Sequence, residues 1–284
     1  MCSAFRKKRP LGAPRNALLI ACGCLMLFSL GINASAAELK VCADPEALPF
    51  SNRAQQGFEN KLADMLARDM HAHLTYTWQR LGRGFVRNVL NKSECNVVLG
   101  IPSNFRHMLT TEAYYRSTYV FVTRKSRNLR LASFDDPRLR RMHVGVQVVG
   151  EEYAPPAIAL GRRGLVSNIV GFDNSGPAAE SVMRAVQSGK VDAAVVWGPL
   201  AGYFAKAHPG TLELTPAPEV DIPALPLTFM ISMGVRKGNT QLRDRLNTFL
   251  KMHKREIEHL LGFYGVPMLP IGMSETARRT GGVQ

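Results

Sequence analysis

Residues 189–204 read GKVDAAVVWGPLAGYF, the stretch of this chain that most constrains its fold. It follows AAESVMRAVQS, in which Val182, Ala185 and Val186 share one helical face. Gly189 then stands just past the helix end, where a left-handed residue is wanted. From Val191 to Val196 only Asp192 is polar, so the segment leaves no face for water. A strand that is apolar on both sides belongs in a parallel sheet covered by helices on both faces. In open α/β sheets, ligands sit at the carboxyl ends of such strands. Here that end delivers Trp197, followed by Gly198-Pro199, which reads as a tight turn.

The remainder of the chain repeats the same alternation. Residues 39–43 form a short apolar strand that stops at Asp44-Pro45, followed by the turn-rich loop LPFSNRAQQ. After Gly57, FENKLADMLARDM places Phe58, Leu62, Met65 and Leu66 on one helical face. Strands are predicted over 74–78, 95–100 and 118–123, with a short helix over 83–94. Beyond a polar junction at 124–128 a second unit begins. It has a strand at 142–146, a helix opening at Gly150-Glu151-Glu152 and interrupted by Pro155-Pro156, and a strand over 166–172. The proline-rich passage 216–226 leads to a strand over 227–233 and one long helix over 241–261, ended by Gly262. Strands alternating with helices imply a parallel α/β architecture. The predicted division is a first lobe of 37–125 plus 226–273 and an inserted second lobe of 126–225, with a polar, disordered tail over 274–284. A cleft is expected between the lobes, crossed by two hinge segments, and such interfaces are favoured ligand sites.

The first 36 residues stand apart. MCSAFRKKRPLGAPR carries five basic residues and no acid, NALLIACGCLMLFSLGI is apolar, and Ala34-Ser35-Ala36 closes with small residues. That order reads as a cleaved secretory signal peptide and predicts a periplasmic product. An uncleaved anchor needs about 20 apolar residues, and lipidation at Cys22 conflicts with the apolar run that continues past it. Cys2, Cys22 and Cys24 leave with the signal. Cys42 and Cys95 remain as a candidate disulfide in an oxidising compartment, the alternative being two buried free thiols. Five of the 36 basic residues also leave, so 31 face 22 acidic residues and a net charge near +9 remains. Export makes nucleic acid an improbable partner; the charge then serves solvation or steering toward an acidic protein.

Several segments, taken in order, resemble the type II periplasmic solute-binding proteins: VCADPEALPFSN, GFENKLADMLA, RGFVRN, YYRSTYVFVTRK, FDDPRL, VDAAVVWGPLAGYFA and ISMGVRKGN. Within that group they are most similar to the J accessory proteins of methanol dehydrogenase systems. The resemblance spans nearly all of the chain after the signal. It implies a two-lobed binding fold and a role in making or activating a PQQ-dependent methanol or alcohol dehydrogenase. An associated cytochrome c is a further implied partner.

The resemblance also implies a cleft chemistry. Amino-acid binders of this fold clamp the ligand carboxylate with an arginine, for which Arg106 stands nearest the expected position, and hold the ammonium with an acid after the second-lobe strand. That second place is occupied by Trp197, whose ring attracts a cation only weakly, by roughly 0.5–2 kcal/mol. Amino-acid capture is therefore expected to be absent. The predicted cleft comprises Asp44, Phe50, Asn52, Phe58, Arg106, Tyr114, Tyr115, Arg116, Gly150, Glu151, Trp197 and Gly198. Each aromatic in it has plain packing as its alternative role, and Trp197 also suits a partner hot spot. His71 and His73 read as a surface pair, and two histidines alone do not make a metal site. The sequence lacks G-x-S-x-G, H-E-x-x-H, C-x-x-C and the haem-attachment C-x-x-C-H. No cofactor of its own and no catalytic role are expected. The competing reading is a transporter's receptor for a small solute that is not an amino acid; an enzyme on the same fold ranks third.

Overall fold

The computed structural model describes residues 37–80, 94–149, 152–173, 180–221 and 224–271. The signal segment, residues 83–93 of the helix expected over 83–94, Gly150, Glu151 and the tail from 274 lie outside the described residues.

The chain enters a sheet at once. β1 (Ala37–Ala43) pairs in parallel with β4 (Ala72–Trp78) over its whole length, and with β5 (Val97–Pro102) at Val41 and Cys42. Between β1 and β4 lies α1 (Phe58–Asp69), which buries Phe58, Leu62, Ala63 and Leu66 completely. The loop before it folds into a small ribbon of β2 (Glu46–Ala47) and β3 (Ser51–Asn52). That ribbon is pressed onto the start of the helix. A Cβ at Gly57 would lie 2.0 Å from the Phe50 carbonyl oxygen, so only glycine fits.

β6 (Leu109–Thr110) leads to β7 (Tyr115–Arg124), on which the sheet turns. Its first residues, Tyr115 to Thr118, pair antiparallel with β15 (Thr228–Val235). Its remaining residues pair on one side with β11 (Ala193–Trp197) and on the other with β12 (Leu212–Pro216). Next to β11 come β8 (Val144–Val149), which carries the short β9 (Glu152–Tyr153), and then β10 (Ile169–Asp173). Across the described residues the order is β10-β8-β11-β7-β15-β5-β1-β4. A separate ribbon joins β13 (Val220–Asp221) to β14 (Leu225–Pro226).

Among the described residues a small apolar cluster surrounds Cys42 and Cys95, and three large ones fill this frame. One lies between α1, α5 (Thr240–Met252), α6 (Lys254–Phe263) and the β1, β5 and β15 strands. The others cover the two faces of the second half-sheet. Ala193 and Val195 point into one, with Phe121, Phe134, Val144 and Val146. Ala194 and Val196 point into the other, with Val182, Val186, Leu200 and Phe204. The apolar run noted in the sequence is thus two alternating faces, each buried.

Several predicted elements differ from those observed. Pro155-Pro156 do not interrupt a helix but begin one, α2 (Pro155–Gly161), because a proline in the first turn forfeits no hydrogen bond. Gly198-Pro199 likewise opens α4 (Gly198–Ala207) straight from Trp197, where a turn was expected. Residues 166–168 form a 3₁₀ turn before β10. α3 (Ser181–Ser188) ends as predicted at Gly189, φ +83°. The single long C-terminal helix is two helices meeting at His253. Its Nδ1 lies 3.0 Å from Glu256 and its Nε2 3.2 Å from Asp69 at the end of α1.

After α6 the chain crosses to the other half-sheet. Tyr264 stacks on Tyr203 of α4, and the Tyr264 hydroxyl donates to the Gln56 carbonyl. Ser117 Oγ donates to the Pro267 carbonyl at 2.7 Å. At the crossing the two backbones touch: a Cβ on Gly202 would sit 1.9 Å from the Gly265 carbonyl oxygen.

Cys42 and Cys95 form the expected disulfide, buried with Val98 and Met108 and closing a separation of 53 residues. Replacing both cysteines by alanine is expected to lower the unfolding free energy by about 2–4 kcal/mol, measured by urea denaturation beside the oxidised wild type.

Candidate functional site

The carboxyl ends of β1, β5 and β11 converge on a cavity of about 240 Å³. A hollow of about 490 Å³ beside His71 and His73 lies away from this convergence, whereas one of about 420 Å³ beside Arg53 and Arg184 adjoins it, sharing Leu48. The converging cavity is the better candidate, since strand ends gather fixed side chains from several elements.

Each wall has a local cause. Asp44 follows β1 directly. Its Oδ1 accepts from the Glu46 amide at 2.9 Å, and its carbonyl accepts from Ser51 Oγ at 2.8 Å, which curls the loop back over the strand. That curl presents Leu48 and Phe50; Phe50 rests edge-on against Phe58, with centroids 5.4 Å apart. Tyr115, at the start of β7, is buried between Phe58 and Tyr114. From the opposite side come Trp197, at the end of β11, and Leu200, in the first turn of α4. The Trp197 amide donates to Gln147 Oε1 at 2.8 Å, and its indole meets Tyr119 and Phe229 edge-on at 5.4 and 5.9 Å.

The cavity also contains an acid that sequence reading passed over. Glu59, in the first turn of α1, is 5% exposed. Its amide donates to the Phe50 carbonyl at 2.9 Å. Among the described residues nothing donates a hydrogen bond to its carboxyl, and the side chain borders the cavity. The carboxyl fits because residue 100 is glycine. A Cβ on Gly100, whose φ is +70°, would lie 2.0 Å from Glu59 Oε1. The Gly100 amide donates to the Tyr114 hydroxyl at 3.1 Å.

Burial pushes the Glu59 carboxyl up to about 8, with Asp44 as a second, smaller cause. A helix N-terminus favours a carboxylate by typically 0.3–1 kcal/mol, too little to offset full desolvation. Glu59 is therefore largely neutral at pH 7. Burial, and next the proximity of Glu59, hold the Tyr114 and Tyr115 phenols well above their ordinary range.

Of the residues predicted to face the cleft, Asp44, Phe50, Tyr115 and Trp197 border this cavity. Asn52 instead bonds Gln56 at the loop's outer edge, and Phe58 is packed beneath Phe50. Tyr114 is buried behind Gly100. Gly198 abuts Thr118 and Pro267, where a Cβ would lie 2.5 Å from the Thr118 carbonyl. The arginines are placed elsewhere. Arg106 is exposed on the turn before β6, and Arg116 reaches Glu219 at 2.7 Å and the Pro270 carbonyl. No arginine lies among the described residues lining the cavity. The expectation of rings with a guanidinium is thus corrected to rings with carboxyls. Glu59, Leu48, Leu99, Gly100 and Leu200 were not foreseen. A signal for Glu59 was present: it stands three, four and seven residues before Leu62, Ala63 and Leu66, on the buried face of α1.

No family model matches the sequence. Protein MoxJ of Methylorubrum extorquens is 32% identical over 257 residues, covering 83% of this chain and 83% of that one. The crystal structure of the periplasmic binding protein XoxJ from Methylobacterium extorquens AM1 aligns with a TM-score of 0.67 at 36% identity, over 82% of this chain and 99% of the other. The crystal structure of MxaJ from Methlophaga aminisulfidivorans MPT aligns with a TM-score of 0.73 at 28% identity, over 81% and 100%.

Glu59 gives the fold a pH signature. The unfolded carboxyl releases its proton near 4.5, whereas the folded one keeps it to about 8. The contribution of neutral Glu59 is therefore fully present below 4.5 and is lost as pH rises through 8. Thermal melts of wild type and Glu59→Gln across pH 5 to 9 are expected to diverge, with only the wild type losing stability from this source.

Proposed function

The chain belongs to the MoxJ family and has the fold of the type II periplasmic binding proteins, and from that premise we propose that it is an exported accessory protein of methanol oxidation that docks a PQQ-dependent methanol or alcohol dehydrogenase and assists its maturation or activation. The observation that carries this reading is the 32% identity across 83% of both chains. The leader-like residues 1–36 support export and signal cleavage into the periplasm. In this reading 37–125 with 226–273 make one lobe and 126–225 the other, with β7 and β15 as the crossings. An associated cytochrome c is a further partner in the same proposal.

The size of the cavity supports docking at the outer surface in this reading. A cavity of about 240 Å³ is below the range of about 300–1,000 Å³ usual for drug-sized ligands. It has no room for a folded segment of another protein. The dehydrogenase therefore meets the outer surface, and the cavity is left to a small molecule. The net charge of the mature chain, near +9, supports electrostatic steering toward an acidic partner.

Tagged protein recovered from the periplasm of methanol-grown cells is expected to retain a quinoprotein dehydrogenase at about 0.05 M salt. It should release the enzyme near 1 M, where the Debye length falls to about 3 Å. Recovery of a tightly held solute, with no dehydrogenase at any salt concentration, overturns the reading in favour of a transport receptor.

A further inference from the structure

We propose that the cavity at the strand ends is a binding site for small alkylammonium ions, amines that carry no carboxylate of their own. The proposal stands apart from the docking reading, because it rests on the cavity's walls alone.

Two carboxyl side chains border the cavity, Asp44 from the β1 end and Glu59 from α1. Glu59 is the decisive one. It is more than nine-tenths buried, has no donor among the described residues, and meets the cavity. A buried acid without a partner costs folding free energy, and an incoming cation supplies the missing partner. The other walls suit the rest of such an ion. Trp197, Tyr115 and Phe50 offer ring surface, which attracts an ammonium desolvated among them. Leu48, Leu99 and Leu200 offer apolar contact for alkyl groups.

The same walls define what is excluded. No described lining residue is cationic, and Arg106 is exposed on its turn. A ligand carboxylate would meet the Glu59 acid with no cationic side chain among the described lining residues, so amino acids and betaines are disfavoured. The volume of about 240 Å³ restricts the ion to a few heavy atoms.

Binding is linked to protons. The titratable groups facing Glu59 among the described residues are Asp44, Tyr76, Tyr114 and Tyr115. None of them is cationic, so the empty site keeps Glu59 protonated at neutral pH. A bound cation favours the carboxylate, and the proton leaves to solvent. A quaternary ammonium does not titrate, so any pH dependence of its affinity belongs to the protein. That affinity must rise between pH 6 and pH 8.

The test is isothermal titration calorimetry of the mature protein with tetramethylammonium chloride and butylammonium chloride, with glycine betaine and butyrate as controls. Each is run at pH 6 and pH 8, in two buffers of different ionisation enthalpy. The expected result is saturable binding of both amines, with tetramethylammonium roughly tenfold tighter or more at pH 8. Release of up to one proton should appear as a buffer-dependent heat. Glu59→Gln should abolish the buffer dependence and weaken binding at least tenfold. Trp197→Leu should weaken binding and keep the proton release. If Glu59→Gln does not fold, the proton release of the wild type against that of Trp197→Leu decides. No saturable heat at about 10 mM amine, tighter binding of betaine or butyrate, or amine binding without proton release each overturns the proposal.

Discussion

Strand β7 is the constraint on which the rest of the molecule depends. Its ten residues, Tyr115–Arg124, are hydrogen-bonded to β15 at one end and to β11 and β12 at the other. Over Val120–Thr123 it pairs on both sides, which leaves no backbone donor or acceptor free there, and each unpaired buried group would cost about 1–3 kcal/mol. The register of β7 therefore fixes both half-sheets at once. It also fixes the cavity, because Tyr115 stands at its first residue and Tyr119, opposite Trp197, at its fifth.

The second half of the fold was the easier to read. The run around Val195 admits only two-sided burial, and Gly189 marks the preceding helix end for a purely local reason, its left-handed backbone. Trp197 was placed at the cleft because position after a strand is a sequence property. Helix starts were harder. Pro155 and Pro199 act as breakers inside a helix and as starters in its first turn, and composition does not separate the two cases. The break falls at His253, which meets Asp69, a contact 184 residues distant along the chain and invisible to periodicity.

Glu59 and Arg106 show the same limit from opposite sides. Sequence reading assigns charges outward, so an acid beside Phe58 was passed over while an arginine was assigned inward by likeness. In the fold, the pocket for the Glu59 carboxyl is made by a missing side chain at Gly100, 41 positions later. Such an absence becomes meaningful only once β5 lies against α1. The consequence is chemical: what was expected to be a receptor cleft without its acid is a ring-walled cavity with its acids on the other side.

The crossing of Gly202 and Gly265 reaches further than packing. Two polypeptide backbones in direct contact leave no side chain between them to rotate or yield. With the Tyr203–Tyr264 stack and the Ser117–Pro267 hydrogen bond beside it, this seam ties the C-terminal segment to α4, whose first turn walls the cavity. The cavity wall that Leu200 supplies is thereby anchored to the strap of chain that follows α6.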